Sequence, residues 1–162
     1  MTDRTEVRPL HDMIARWAQP GRVEWIGVRP ARAADITVLD RASVLMSGLD
    51  GDRGRAGKRA VTLIQAEHLP AIASCLGRDH IDPSLFRRNL VVRGINLAGL
   101  KGRSIEIGSA VVKITTICAP CSLMERFLGH GGYAAMRGHG GWCAEVVTPG
   151  DVTLGAVVRP LD

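Results

Sequence analysis

The sequence predicts a mainly β fold of the β-rich α+β kind, a small closed or rolled β-barrel with a few short peripheral helices. Three observations lead there. Apolar runs of strand length recur at Arg22 to Val28, Ala42 to Met46, Arg59 to Ile64, Asn89 to Val92, Ser104 to Ile107, Ala110 to Ile117, Cys143 to Val147 and Val152 to Val158. The helical patterns between them are too few and too irregularly placed for repeated βαβ units, which disfavours a doubly wound sheet. Glycine, with 19 copies, falls where strands must turn or approach closely, at Gly48, Gly51, Gly54, Gly102, Gly108 and Gly155 among others, as a tightly curved barrel requires.

The first element is a short amphipathic helix. Leu10, Met13, Ile14 and Trp17 share one face, Asp12 and Arg16 the other, and Pro20-Gly21 stops it. The first strand follows, alternating Val23, Trp25 and Gly27 with Arg22, Glu24 and Ile26 up to Pro30. A helix over Ala66 to Leu76 places Leu69, Ile72, Ala73 and Leu76 together and ends at Gly77. A turn of helix over Pro83 to Arg88 starts from Asp82 as N-cap with proline at the first helical position. A third helix, Ser122 to Leu128, groups Leu123, Met124, Phe127 and Leu128 before Gly129.

A chain of 162 residues suffices for one core. The expected organisation is an N-terminal helical extension over 1–20 and a single barrel domain over 21–162. Hydrophobic residues at 46% against 23% charged are too balanced for a disordered chain. No apolar run approaches the roughly 20 residues that span a bilayer, and Asp3, Arg4, Glu6 and Arg8 leave no room for the apolar region of a secretory signal. The expectation is a cytoplasmic protein without a membrane partner. Four cysteines in a chain with a real core are better read as free thiols than as disulfide staples. The net charge of +5 rests on arginines, with Arg53, Arg55, Lys58 and Arg59 in one cluster and Arg87, Arg88 and Arg93 in another. That balance favours a small anionic ligand. Nucleic acid is not expected, because one Tyr, two Phe and three Trp offer no stacking platform and no nucleic-acid-binding signature is present.

The strongest local signal is Cys118-Ala119-Pro120-Cys121, which follows a strand and opens a helix. A cysteine there meets unpaired backbone N–H groups and the positive end of the helix dipole, which favour thiolate, so Cys121 is expected to be the more nucleophilic of the pair. Glu125 would partly oppose that thiolate. Four readings compete: a zinc site, which lacks a second paired spacing; a thioredoxin-like redox pair, which lacks the early βαβ context; two small side chains packed at a strand end; and a single working thiolate on Cys121. Beside it stand three basic or glycine-rich segments. In Gly48-Leu49-Asp50-Gly51-Asp52-Arg53 the turn can fix an arginine through its own carboxylate and leave the guanidinium fork for an oxyanion. Phe86-Arg87-Arg88-Asn89 leads into a strand. The stretch from Gly131 to Trp142, with Tyr133, Arg137 and His139, reads as a loop whose backbone N–H groups can face an anion, or as a plain surface loop.

In order and spacing, Gly48 to Arg53, Phe86 to Leu90, the strand before Cys118 to Cys121, and Gly140-Gly141-Trp142-Cys143-Ala144-Glu145-Val146 with Gly150 and Gly155 resemble the MOSC family, the domain named after the C-terminal part of molybdenum cofactor sulfurases. The resemblance runs from about Val23 to Val158 and implies a β-rich barrel with flanking helices. It implies two jobs for Cys121: carrying a sulfane sulfur as a persulfide for a metal–sulfur centre, or ligating the molybdenum of a bound pterin cofactor (molybdopterin), as in members that reduce N-hydroxylated compounds. It also places Asp52, Arg53, Arg59, Arg88, Asn89, Arg137 and His139 around the cofactor, whose terminal phosphate suits the arginines. The implied partners are a cysteine desulfurase as sulfur donor or an electron-transfer protein. Pyridoxal phosphate enters only through the desulfurase domain of the sulfurases, and this chain is expected to lack both that domain and the N-terminal β domain of the reductases. Many relatives carry a histidine directly after Gly-Asp-Arg. Here Gly54 stands there, so an imidazole would have to come from His139. A non-catalytic anion-binding module, with Cys121 as packing only, is the remaining reading.

Overall fold

The computed structural model describes residues 9–161, so part of the extension expected over 1–20 lies outside the described residues. The strands are β1 (Gly21–Val28), β2 (Thr37–Leu39), β3 (Arg41–Leu45), β4 (Gly48–Leu49), β5 (Val61–Gln65), β6 (Leu90–Arg93), β7 (Ser104–Ile107), β8 (Ala110–Ile117), β9 (Trp142–Thr148), β10 (Gly150–Thr153) and β11 (Val157–Pro160). The helices are α1 (Leu10–Ile14), α2 (His68–Cys75), α3 (Ser122–Leu128) and α4 (Gly132–Met136), with 3-10 turns at Pro83–Phe86 and Leu97–Leu100.

Seven strands close a barrel in the order β1-β11-β7-β8-β9-β5-β6, with β6 returning to β1. Closure leaves no free edge in that ring, and β2 adds to the outside of β1. Among the described residues only β5 and β6 pair in parallel, which is why the crossover carrying α2 lies between them. A second, three-stranded sheet runs β10-β3-β4.

The barrel interior is filled by Val23, Ile26, Leu63, Leu90, Val92, Ile105, Ile114, Ala144, Val146 and Val158, all 2% exposed or less. A second apolar layer lies outside the wall, where Ile64 and Val91 meet Ile72 of α2, Phe86, and Met124 and Leu128 of α3. Strands β5 and β6 are therefore apolar on both faces.

The alternation expected in the first strand breaks at a bulge between Val23 and Trp25. Beyond it Ile26 and Val28 turn into the barrel, while Trp25 joins the outer layer. The run from Val152 to Val158 is likewise two strands. A turn at Leu154-Gly155 separates them, tied by Leu154 N donating to Asp40 O at 2.9 Å, and each half joins a different sheet. The stretch read as a loop from Gly131 to Trp142 contains α4. Glu125 accounts for this, its carboxylate accepting from Gly131 N (3.0 Å) and Tyr133 N (3.1 Å) and so holding the start of α4 against α3.

One buried side chain joins three strands. Asn89, fully enclosed, accepts from Thr62 N (3.0 Å) and Thr62 Oγ1 (3.2 Å) through Oδ1 and donates to Gly27 O (3.1 Å) through Nδ2. Replacing it would leave buried polar groups of β5 and β1 unpaired. Asn89→Ala is expected to cost about 2 to 4 kcal/mol of stability, read as a lower urea midpoint with an unchanged slope.

Candidate functional site

On the outer face of the barrel wall, Thr62 of β5 and Cys143 of β9 stand opposite each other in register, and their neighbours Val61 and Ala144 point into the core. Above them opens a cleft of about 700 Å³. Its walls come from the end of β1 (Arg29, Arg32), the segment between β4 and β5 (Arg53, Gly54, Arg55, Arg59), the entry to β6 (Arg87, Arg88), the end of β8 (Ile117, Cys118, Ala119) and α3 with its N-cap (Cys121, Leu123, Met124). Seven arginines and three cysteines thus face one space.

The Asp-rich turn does fix an arginine, but not the neighbour that follows it. The Asp52 side chain is enclosed and takes Arg29 in a two-pronged grip, accepting from Nε at 3.2 Å and from Nη2 at 3.0 Å. Arg29 N (2.7 Å) and Gly54 N (3.0 Å) donate to the same carboxylate, and Arg53 N donates to Arg29 O at 2.8 Å. Burial pulls the Asp52 carboxyl upward, yet these bonds and the Arg29 charge outweigh it and hold the group below the ordinary carboxylate range. The position after Arg53 is closed to a side chain. A Cβ on Gly54 would lie 2.9 Å from Asp52 Oδ2 and 3.0 Å from Ala60 O, so a histidine there would displace the turn.

Arg88 is buried and spends its guanidinium on backbone: Nε donates to Gly140 O (2.7 Å), Nη1 to Phe86 O (3.2 Å) and Nη2 to Cys118 O (3.1 Å). It pins the strand end that carries Cys118 to the glycine segment before β9. Gly141 sits at φ 89°, where a Cβ would collide with Leu63 O. Arg87, at a left-handed φ of 59°, donates to Ala34 O at 2.6 Å and lies 4.6 Å over the Phe127 ring. Burial, with Arg29 and Arg53 nearby, weakens its hold on its proton. Arg32, Arg53, Arg55 and Arg59 are exposed and, among the described residues, have no carboxylate partner.

All four cysteines are free. Cys121, the residue expected to react, is exposed at the rim and caps α3 through its backbone, Met124 N donating to its carbonyl at 2.9 Å. It is not sealed in packing. Cys118 is half-buried. Cys143 lies beside it, and that neighbouring thiol together with Arg88, Arg29 and Arg59 pulls the Cys118 thiol down, against the opposing effect of burial. Cys143, buried beside Cys118, is pushed up.

The expected site residues therefore divide. Cys121, Arg53, Arg59 and Arg88 line the cleft, and Asp52 lies directly behind it. Asn89 lies beneath the wall, bonded to β5 and β1. Arg137 is exposed at the end of α4, outside the cleft lining. His139 is also outside that lining, with its ring 5.2 Å from that of His68 and a buried Nδ1 that has no partner. Sequence reasoning missed Arg29 and the neighbourhood of Cys118 and Cys143. Arg29 stands 23 residues before Asp52 with no motif around it, and Cys143 belongs to a strand that begins beyond α4.

A closed barrel with an arginine-lined, thiol-bearing cleft on its flank defines the class, and the family follows from the sequence match. The model of the MOSC domain matches residues 46–159, more than two thirds of the chain, and the chain belongs to that family. No curated protein matches the sequence. Among solved structures, YuaD protein from Bacillus subtilis superposes with a TM-score of 0.74 at 19% identity, covering 86% of this chain and 94% of that one. YiiM from Geobacillus stearothermophilus gives 0.73 at 18%, covering 88% and 76%. YiiM from Escherichia coli gives 0.68 at 21%, covering 87% and 70%. At such identities the likeness is one of fold.

The Asp52–Arg29 pair carries a pH signature. A carboxyl held low in the fold adds stability above its unfolded value, and that contribution disappears as pH falls through the folded one. Wild type should therefore exceed Asp52→Asn in Tm at neutral pH, with the gap closing as pH is lowered below about 4. A gap independent of pH would count against the ion pair.

Proposed function

We propose that this protein is a MOSC domain that binds molybdenum cofactor in the arginine-lined cleft, carries sulfane sulfur on Cys121, or does both, in the cytoplasm. The observation that carries the reading is an exposed thiol at the rim of a cleft in which four arginines lack carboxylate partners among the described residues. The family is generally associated with the molybdenum cofactor.

The residues fit such a group. Among the described residues no three His, Cys, Asp or Glu side chains converge on a metal position. A metal at this site would thus bring most of its ligands with it, as a pterin dithiolene does, and take one thiolate, Cys121, from the protein. The cofactor's phosphate would meet Arg53 and Arg59, whose forks match a phosphate in two-pronged fashion. An anion there also relieves the repulsion that Arg87 feels from Arg29 and Arg53. When bound, the cofactor supplies two-electron chemistry at the metal. The chain's own part is to hold the phosphate, present the Cys121 sulfur and, through the Asp52–Arg29 pair, keep the cleft preformed.

For sulfur transfer the exposure of Cys121 matters, because a thiol must reach the persulfide of a donor such as a cysteine desulfurase. The packing reading of Cys121 is disfavoured by the same exposure.

Molybdenum analysis of protein purified from a cofactor-producing host should find the metal in wild type and lose it in Cys121→Ser. Exposure to a cysteine desulfurase and cysteine should add the mass of one sulfur atom, a gain also absent in Cys121→Ser and retained at least in part in Cys118→Ser. If neither signal occurs in wild type, the reading is wrong. Arg53→Ala and Arg59→Ala should each weaken cofactor or phosphate binding about tenfold, measured by calorimetry, with little effect on Tm.

A further inference from the structure

We propose that the ligand of the basic cleft carries two linked phosphates, as a nucleoside diphosphate does, with one phosphate on Arg53 and Arg59, the second on Arg87 and Arg32, and an organic ring on the apolar wall. The proposal rests on the anion-binding part of the reading above and names the chemical class of that anion.

One phosphate does not answer the charge in this cleft. A phosphate ester has three free oxygens and about two negative charges, and two arginine forks engage all three oxygens. Arg53 and Arg59 suffice for that. Seven arginines border the space, and the nearest carboxylate, Asp52, is taken up by Arg29.

Arg87 points to the second phosphate. It is 4% exposed and, among the described residues, has no carboxylate partner. Its one side-chain hydrogen bond goes to a neutral carbonyl, Ala34 O. The other nitrogens of its guanidinium have no protein partner and are not sealed off, and the residue borders the cleft. A buried cation without a counter-charge is costly, and Arg29 and Arg53 add repulsion. The bond to Ala34 also ties Arg87 to the segment between β1 and β2 that carries the exposed, unpaired Arg32. Arg53, from the segment between β4 and β5, is close enough to act on Arg87, so the two arginine pairs lie side by side and suit adjacent phosphates.

The remaining wall is apolar. Ile117, 58% exposed, stands there with Ala119 and Leu123. The cleft volume of about 700 Å³ falls within the roughly 300–1,000 Å³ of sites that hold organic ligands, far more than an ion fills. A ring lying against Ile117 covers apolar surface that is otherwise open to water.

Calorimetric titrations of the full chain at one ionic strength test the proposal. Inorganic diphosphate should bind at least about tenfold more tightly than inorganic phosphate, and adenosine diphosphate should exceed adenosine monophosphate by a similar factor. Arg32→Ala and Arg87→Gln should each weaken diphosphate about tenfold and phosphate less than about twofold, whereas Lys101→Ala, which removes the same charge outside the cleft lining, should change neither. Tm checks that Arg87→Gln is folded, and the exposed Arg32 gives the same reading without that risk. Adenosine diphosphate should also bind more tightly than inorganic diphosphate, a gain lost in Ile117→Ser. Its absence in wild type overturns the ring on the apolar wall. Equal affinity for phosphate and diphosphate, or a diphosphate preference that Arg32→Ala and Arg87→Gln leave intact, overturns the second phosphate while the molybdenum analysis still judges the cofactor reading. Binding of neither anion overturns this proposal and the anion-binding reading together.

Discussion

Seven guanidinium groups around one cleft repel one another, and the site depends on the contacts that hold them there. The central one is the grip of Asp52 on Arg29. It fastens the segment between β4 and β5 to the end of β1, so the arginines of that segment stand over the cleft instead of trailing into solvent. It also neutralises one of the seven charges. Arg88 is held differently, by three backbone carbonyls, and in return it fixes the end of β8 against the entry to β9. Two arginines thus build the frame and the exposed four remain available to a ligand.

That frame has consequences for the sulfur chemistry. With Cys118 pinned by Gly141 and Arg88, its sulfur stays beside Cys143 and within the field of Arg29, Arg59 and Arg88. Low local dielectric strengthens these interactions and favours the Cys118 anion, while Cys121 stays exposed at the rim, where a partner can meet it.

The elements with a strong local signal were legible in the chain. α3 spans Ser122 to Leu128, β7 and β8 begin and end where their apolar alternation does, and Asp82 caps the turn at Pro83 with Ser84 N donating to its carboxylate. Elements set by distant partners were not. β2 and β4 are short pieces that exist because β1 and β3 pair with them. α4 forms because Glu125 reaches across to its first residues, and the bulge in β1 reverses which of Trp25 and Ile26 enters the core.

By itself the sequence determined the class of fold, the basic cleft-forming segments and the presence of a thiol at a strand-to-helix junction, since apolar period, turn chemistry and charge are local properties of the chain. Only the tertiary structure decided which arginine Asp52 holds, that Arg88 and Asn89 are bonded to backbone, and that Cys118 lies among Arg88, Arg29, Arg59 and Cys143. Those outcomes come from pairings across 23 to 62 residues of chain. Burial and hydrogen-bond geometry exist only once the barrel has closed, and no spacing along the chain encodes them.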